Sequence, residues 1–245
     1  MIILASNSPR RKQLLAFGGW SFQVSPVDID EGVRVGEKPD AYVLRLSKEK
    51  AQAARLLLSH REQIGDVIVS ADTSVVLCIN QDNWEAVRSL PEFIQYGNQS
   101  TSSRLILGKP SSEKHAEQIL HLLRNQTHQV YTGITAMRIV DGEMQSRLVT
   151  TDVPMRDYSD SEMRAYIKSG DPFDKAGAYA IQHRDFHPAQ ELHGCYANVM
   201  GLPVCHLAVM LRKFNLDFQS GIAEKCLEAF DYSCPISKQV LESDE

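Results

Sequence analysis

The first fifteen residues constrain this chain most, because they join a buried strand to a helix start of unusual charge. Residues 2–5 form a short apolar run that reads as a buried strand. Ser8 then offers a side-chain cap, and Pro9 suits the first helical position, where its missing N–H costs nothing. Arg10, Arg11 and Lys12 follow, so three cations occupy the first turn. They oppose the helix dipole, which favours negative charge at that end. An anion bound there would remove the conflict, because free N–H groups and two guanidinium forks would converge on it. The alternative is a solvated basic helix end that tolerates a penalty of ~0.3–1 kcal/mol per charge.

The chain of 245 residues is long enough for one large domain or two small ones. With 43% apolar and 23% charged residues, its composition is that of a soluble globular protein. A formal net charge of −5 argues against a general nucleic-acid or membrane-surface binder and suits a local basic pocket for a small anion. No apolar run approaches the ~18 residues needed to span a bilayer, and the polar residues 7–10 interrupt any signal-peptide pattern at once. Cys78, Cys195, Cys205, Cys226 and Cys234 are odd in number and lack CxxC spacing. That pattern favours free thiols in a reducing cytoplasm over a disulfide framework or a zinc site.

Hydrophobic periodicity predicts strands over 2–5, 21–27 and 66–73, with a further extended segment over 74–79. A long helix is expected over 39–60, with Lys48, Glu49 and Lys50 partly off its apolar stripe. Residues 80–104 change character, crowding Gln, Asn and Ser around Pro91 and Gly97, and read as an excursion with one short helix near 84–96. A helix over 112–124, strands over 127–140 and 145–153 joined at Asp141-Gly142, and helices over 160–169 and 204–214 complete the pattern. The tail after Phe218 has no firm period beyond a helix near 222–230. Such alternation predicts a mixed α/β chain, a sheet covered by helices.

Several residues are candidates for chemistry. The cations Arg10, Arg11, Lys50, Lys109 and Lys175 sit at turns or near element ends, as phosphate ligands or as surface charges. Lys109 lies in Gly-Lys-Pro, which is not a Walker A loop, because the spacer and second glycine are missing. Asp30, Glu31 and Asp72 are the acidic candidates, since a divalent cation bridging phosphates takes one or two carboxylates with water. Asp72 is expected at the carboxyl end of an apolar strand, where open α/β sheets place ligands, unless it merely forms a turn or a cap. His183 and His187 do not share a helical face, and Cys195 near His193 reads as a small buried thiol.

Taken in order, these pieces resemble one family. The matching segments are Ala5-Ser6-x-Ser8-Pro9-Arg10-Arg11 with Leu14-Leu15, then Asp30-Glu31, Lys50-Ala51, Ala71-Asp72-Thr73 and Leu107-Gly108-Lys109-Pro110. They continue with Asp174-Lys175-Ala176-Gly177-Ala178-Tyr179-x-Ile181-Gln182 and Asn198-Val199-x-Gly201-Leu202-Pro203. The chain resembles the Maf nucleoside triphosphate pyrophosphatases over residues 1–216, apart from the 80–104 insertion. The resemblance implies the inosine-triphosphatase-like α/β fold, a central mixed twisted sheet flanked by helices with a cleft between two lobes. Residues 217–245 would be an extension of unknown role.

The resemblance also implies hydrolysis between the α and β phosphates of a nucleoside triphosphate, with Mg²⁺ or Mn²⁺. Asp72 would accept the proton of the attacking water and share the metal with Glu31. Ser8, Arg11, Lys50, Lys109 and Lys175 would bind phosphate. Arg10, Thr73 and Gln182 match the branch acting on dTTP and UTP. The branch acting on 7-methyl-GTP typically carries tryptophan in place of that arginine and an acid in place of that glutamine. The same resemblance leaves open a homodimer, and a low-activity regulator of septum formation as an alternative role. His183 departs from the family's usual glycine, which concerns the loop beyond the base pocket.

Overall fold

A computed structural model describes residues 1–58, 66–91, 93 and 104–243. Within them a six-stranded mixed sheet is flanked by helices, as the alternation of elements implies. Its strands are β1 (Ile2–Leu4), β2 (Phe22–Val24), β3 (Val67–Cys78), β4 (Arg104–Leu107), β5 (Thr127–Arg138) and β6 (Met144–Pro154). They run in the order β2-β1-β3-β5-β6, with β4 also paired to β3. The helices are α1 (Pro9–Ala16), α2 (Pro39–Leu57), α3 (Trp84–Val87), α4 (Glu113–Leu123) and α5 (Asp160–Lys168). Then follow α6 (Tyr196–Val199), α7 (Val204–Arg212), α8 (Ile222–Phe230) and α9 (Ser237–Leu241).

The expected segments at 66–73 and 74–79 are one strand, β3, because β5 pairs with it continuously from Val67 to Val76. Its other edge is shared. Parallel β1 covers Val67–Val69, and antiparallel β4 covers Val75–Cys78. Among the described residues no strand pairs with 70–74 on that side. Because β1 runs with β3 and β4 runs against it, both neighbours end facing this window. The loop after β1 and the loop after β4 are thereby delivered to the same place. Asp72 lies in the window, mid-strand, and not at a strand's carboxyl end as periodicity suggested.

Side chains alternate across β3, so the window also divides the core. On one face Val67, Val69 and Ala71 pack with Leu14, Leu15 and Leu207, while Val75 and Leu77 pack with Ile119, Leu120 and Met163. On the other face Ile68 joins Ala51 and Ala54, and Val76 joins Val43 and Tyr131. The residues between, from Ser70 to Ser74, are mostly polar and bring chemistry to the seam between two apolar cores.

Helix α2 lies across β3 and β5 and departs from expectation at Lys50, which is buried on its packed face. Its described end is Leu57; residues 59 and 60 of the expected helix fall outside the described residues. The expected short helix over 84–96 is described over Trp84–Val87, and much of the rest of it likewise lies outside them. Helix α5 carries a capping box, Ser159 with Glu162, and stops before Gly170 at φ +80°. The tail docks onto the core. Trp20 Nε1 donates to the Asp217 carbonyl at 2.8 Å, and Lys225 Nζ donates to the Phe17 carbonyl at 3.0 Å. Helix α9, which periodicity missed, sets Val240 and Leu241 against the first core.

Candidate active site

The window opens into a cleft of about 580 Å³. The ten residues that the resemblance assigns to the site all line it: Ser8, Arg10, Arg11, Glu31, Lys50, Asp72, Thr73, Lys109, Lys175 and Gln182. The acidic candidate Asp30 does not, and accepts from Gly32 N at 2.9 Å. The ten come from six separate stretches of chain, which the facing ends of β1 and β4 bring together with α2 and the loop of 171–182.

Lys50 is the hub of the acidic side. Its Nζ lies 2.7 Å from Asp72 Oδ1 and 2.6 Å from Glu31 Oε1. Lys50 and Asp72 are both buried, whereas Glu31 is about half exposed. Burial raises the Asp72 pKa; Lys50 and then Arg11 oppose this without cancelling it. Burial also pushes Glu31 upward, yet the hydrogen bond and charge of Lys50, with Lys109 and Arg11, hold it below its ordinary value. Two carboxylates in one cleft are thus tuned in opposite directions, the arrangement that separates a proton acceptor from a permanent anion.

Arg11 projects from the first turn of α1, whose start is set by Ser8. The Ser8 hydroxyl accepts from Arg11 N at 3.4 Å, so the expected cap is present. The guanidinium is held on three sides. Its Nε donates to the Gly201 carbonyl at 2.9 Å, Nη1 to Ser6 Oγ at 3.4 Å and Nη2 to Thr73 Oγ1 at 3.3 Å. Burial lowers its pKa while Asp72 raises it, and a guanidinium stays charged throughout. Thr73 points away from Asp72, as strand neighbours must, and continues to Thr132 Oγ1 at 3.0 Å. Thr132 in turn donates to the Asn198 carbonyl at 3.0 Å, and Asn198 Nδ2 donates to the Val130 carbonyl and Thr151 Oγ1. Sequence reasoning used Asn198 only as part of a motif; it is fully buried and braces the turn that carries Gly201.

Lys175 lines the cleft, but its ammonium is already engaged. It donates to the Asp171 carbonyl at 2.6 Å and Oδ1 at 2.9 Å, and to Asp174 Oδ1 at 2.5 Å. Gly177, at φ +70°, lets this segment lie flat on β3, since a Cβ there would meet Val75 Cγ2 at 2.8 Å. Its N–H donates to the Gly108 carbonyl at 3.0 Å, which ties the Lys175 loop to the Lys109 loop. Arg10 is partly exposed, while Lys109 and Gln182 are exposed at the cleft.

Tyr179 forms part of the cleft wall and is anchored from behind by His128 Nε2, 2.8 Å from its hydroxyl. Burial lowers the His128 pKa to about 3 from 6.5. A depressed value means that stability is complete above about pH 6.5 and is lost as pH falls toward 3, at up to ~1.4 kcal/mol per pH unit. Urea unfolding at pH 6.5 and 5 should therefore show roughly 2 kcal/mol more loss in the native protein than in His128→Asn. Equal losses in the two would show that His128 does not titrate in this way.

Among the described residues no helix is long and apolar enough to cross a membrane. The family model described as "Maf-like protein" matches residues 1–214. A protein of Agathobacter rectalis named "dTTP/UTP pyrophosphatase" is 39% identical over 220 residues, spanning 88% of this chain and 98% of the relative. Proteins of the same name from Geotalea uraniireducens and Colwellia psychrerythraea are each 36% identical. Those matches span 87% and 91% of this chain, and 95% and 92% of the relatives. With a mixed sheet whose window gathers every motif of the resemblance into one cleft, and a family match along nearly its whole length, this chain belongs to the Maf family.

Proposed function

We propose that this protein is a nucleoside triphosphate pyrophosphatase that hydrolyses dTTP and UTP to the nucleoside monophosphate and pyrophosphate. The observation that carries this reading is the pairing of oppositely tuned Asp72 and Glu31 around Lys50, beside Arg11 and Lys109 in one cleft. Asp72 takes the proton of the attacking water at its carboxylate, and burial strengthens it as a base. Arg11, fixed by Gly201 and Thr73, meets the triphosphate without needing to reorganise. Lys109 enters from the other side. Phosphoryl transfer depends mainly on such positioning and charge stabilisation. Lys175, already neutralised by Asp171 and Asp174, contributes by shaping the loop before Gln182 more than by free charge.

Glu31 and Asp72 suit a hard divalent cation. Among the described residues no group of three or more ligating side chains converges on one point. Mg²⁺ or Mn²⁺ nevertheless fits, because such ions take one or two carboxylates and complete their shell with water and substrate phosphates. When bound, the ion would polarise the phosphates and lower the charge that builds during hydrolysis. Lys50 would then hold the two carboxylates in place.

Base choice falls to Arg10 and Gln182. A neutral amide presents both a donor and an acceptor to a pyrimidine edge, whereas a cationic methylated guanine would favour an aromatic face and a carboxylate. In this reading residues 1–216 form the catalytic unit, 217–245 extend it, and the enzyme works on the cytoplasmic nucleotide pool. A panel of triphosphates with Mg²⁺, scored for pyrophosphate, should give dTTP and UTP a kcat/KM at least ~10-fold above dGTP and 7-methyl-GTP. Gln182→Glu should erase most of that ratio. Faster turnover of the methylated purine would overturn the pocket assignment, and no turnover of any nucleotide would leave a binding role in its place.

A further inference from the structure

The opposite face of the first core holds a group of thiols that nucleotide hydrolysis does not use. Cys195 precedes α6, Cys205 lies on α7, Cys226 on α8, and Cys234 between α8 and α9. All four line one small cavity together with Tyr196, Phe230 and Tyr232. Sequence spacing gave no hint of this, since the pieces are separated by eight to thirty-nine positions and meet only when the tail docks.

The docking is specific. Tyr232 O–H lies 2.9 Å from the Leu192 carbonyl and 2.8 Å from the Gly194 carbonyl, and its oxygen accepts from Gly194 N at 3.1 Å. Tyr196 stacks on Phe230 with ring centres 4.9 Å apart. These contacts hold Cys234 against the 194–195 backbone, with its Sγ 3.6 Å from the Gly194 carbonyl. This seats Cys234 Sγ beside residue 195, and Cys195 lines the same small cavity. Cys195 is buried and Cys234 is partly exposed, so solvent reaches the pair from one side.

We propose that Cys234 is a peroxide-reactive thiol and that Cys195 is its resolving partner. Their chemistry differs in the direction this requires. The neighbouring Cys195 thiol draws the Cys234 pKa down; burial opposes it, and the backbone at Ile236 and Ser237 assists. Cys195 moves the opposite way, through Cys234 and burial. Burial pushes Cys205 up to about 12 and Cys226 up to about 11, so both stay protonated. The thiolate is the reactive form, and of the four thiols in the cavity Cys234 alone is partly exposed, the other three being buried.

The steps balance with a hydroperoxide as oxidant. The Cys234 thiolate attacks the O–O bond of hydrogen peroxide, forming sulfenic acid and releasing hydroxide, which takes up the proton the thiol had lost. Cys195 Sγ then attacks Cys234 Sγ, an S–S bond forms, and the departing oxygen leaves as water with the Cys195 proton. Two thiols are oxidised and one peroxide is reduced to two waters. The bond would tie the tail to the turn that carries Asn198 and, beyond it, Gly201.

The test uses the full chain treated with a small excess of hydrogen peroxide, alkylated, digested without reduction and mapped by mass spectrometry. A Cys195–Cys234 peptide should dominate, be reversed by dithiothreitol and be absent in Cys234→Ser. Cys78→Ser should leave it unchanged. Oxidised protein should melt roughly 5 °C or more above the reduced form, because the bridge closes a long loop. Cys195→Ala should lose that rise and instead accumulate Cys234 sulfenic acid, trapped by dimedone. The proposal fails if no sulfenic acid forms at Cys234 in Cys195→Ala, or if the bridge joins Cys234 to Cys205 or Cys226.

Discussion

Asp72→Asn should lower kcat/KM for dTTP by ~10²- to 10⁴-fold, the usual worth of a positioned general base, with KM little changed because Arg11, Lys50 and Lys109 remain. The amide keeps the shape of the carboxylate but cannot accept the water's proton. The fold should survive. An Asp whose native pKa is raised contributes stability in full below its unfolded value of about 3.9, and loses it as pH rises through the native value. At neutral pH the ionised side chain therefore costs stability, and the melting temperature of the variant should equal or exceed the native one. The acid limb of the native pH profile should lie above that of an ordinary carboxylate. Lys50→Met should shift it higher still, because Lys50 is the chief group opposing the effect of burial. A loss below tenfold in Asp72→Asn, or an acid limb at the ordinary value, would remove Asp72 from the proton-accepting role.

Gly133→Ala should damage both stability and activity, although Gly133 is not among the cleft-lining residues. Gly133 sits on β5 directly opposite Asp72. A Cβ there would meet the Val43 carbonyl oxygen at 2.4 Å and its carbon at 2.7 Å, which are backbone atoms of α2 and cannot rotate aside. Glycine is present because a helix backbone rests on the strand. Overpacking of this kind costs roughly 1–3 kcal/mol or more, which for a chain of this size is a drop of about 3–12 °C. Displacing α2 also moves Lys50, and it strains the contacts of Ser47, whose carbonyl accepts from Ser70 Oγ at 2.6 Å and whose hydroxyl lies 2.9 Å from Thr135 Oγ1. Activity should therefore fall several-fold in protein that is still folded. Thermal melts and assays well below the melting temperature test this, and an unchanged melting point with full activity would refute the close seating of α2.

Most elements were legible because their signals are local. Pro9 after Ser8, the apolar stripe of α2, Asp141-Gly142 between β5 and β6, and the stop at Gly170 each act within a few residues. Lys50 was misplaced for the opposite reason. Periodicity treats a lysine as solvent-facing, and nothing within a turn of helix reveals two carboxylates waiting on another strand and a loop. Asp72 was set at a strand end because its polar neighbours look like a boundary. The strand continues because β5 pairs straight through it, and pairing is not written in β3. For Lys175 the alternatives of phosphate ligand or surface charge leave out its pairing with Asp171 and Asp174, although both lie beside it in the sequence.

The residue types of the cleft, their order along the chain and the family they resemble can all be read from the amino-acid string, because chemical identity and short-range spacing are properties of the string. Three matters lie beyond it: the window that β1 and β4 leave in β3, the opposite tuning of Asp72 and Glu31, and the meeting of Cys195 with Cys234. Each depends on burial and on contacts between residues far apart in sequence, and those exist only once the sheet has paired and the tail has docked.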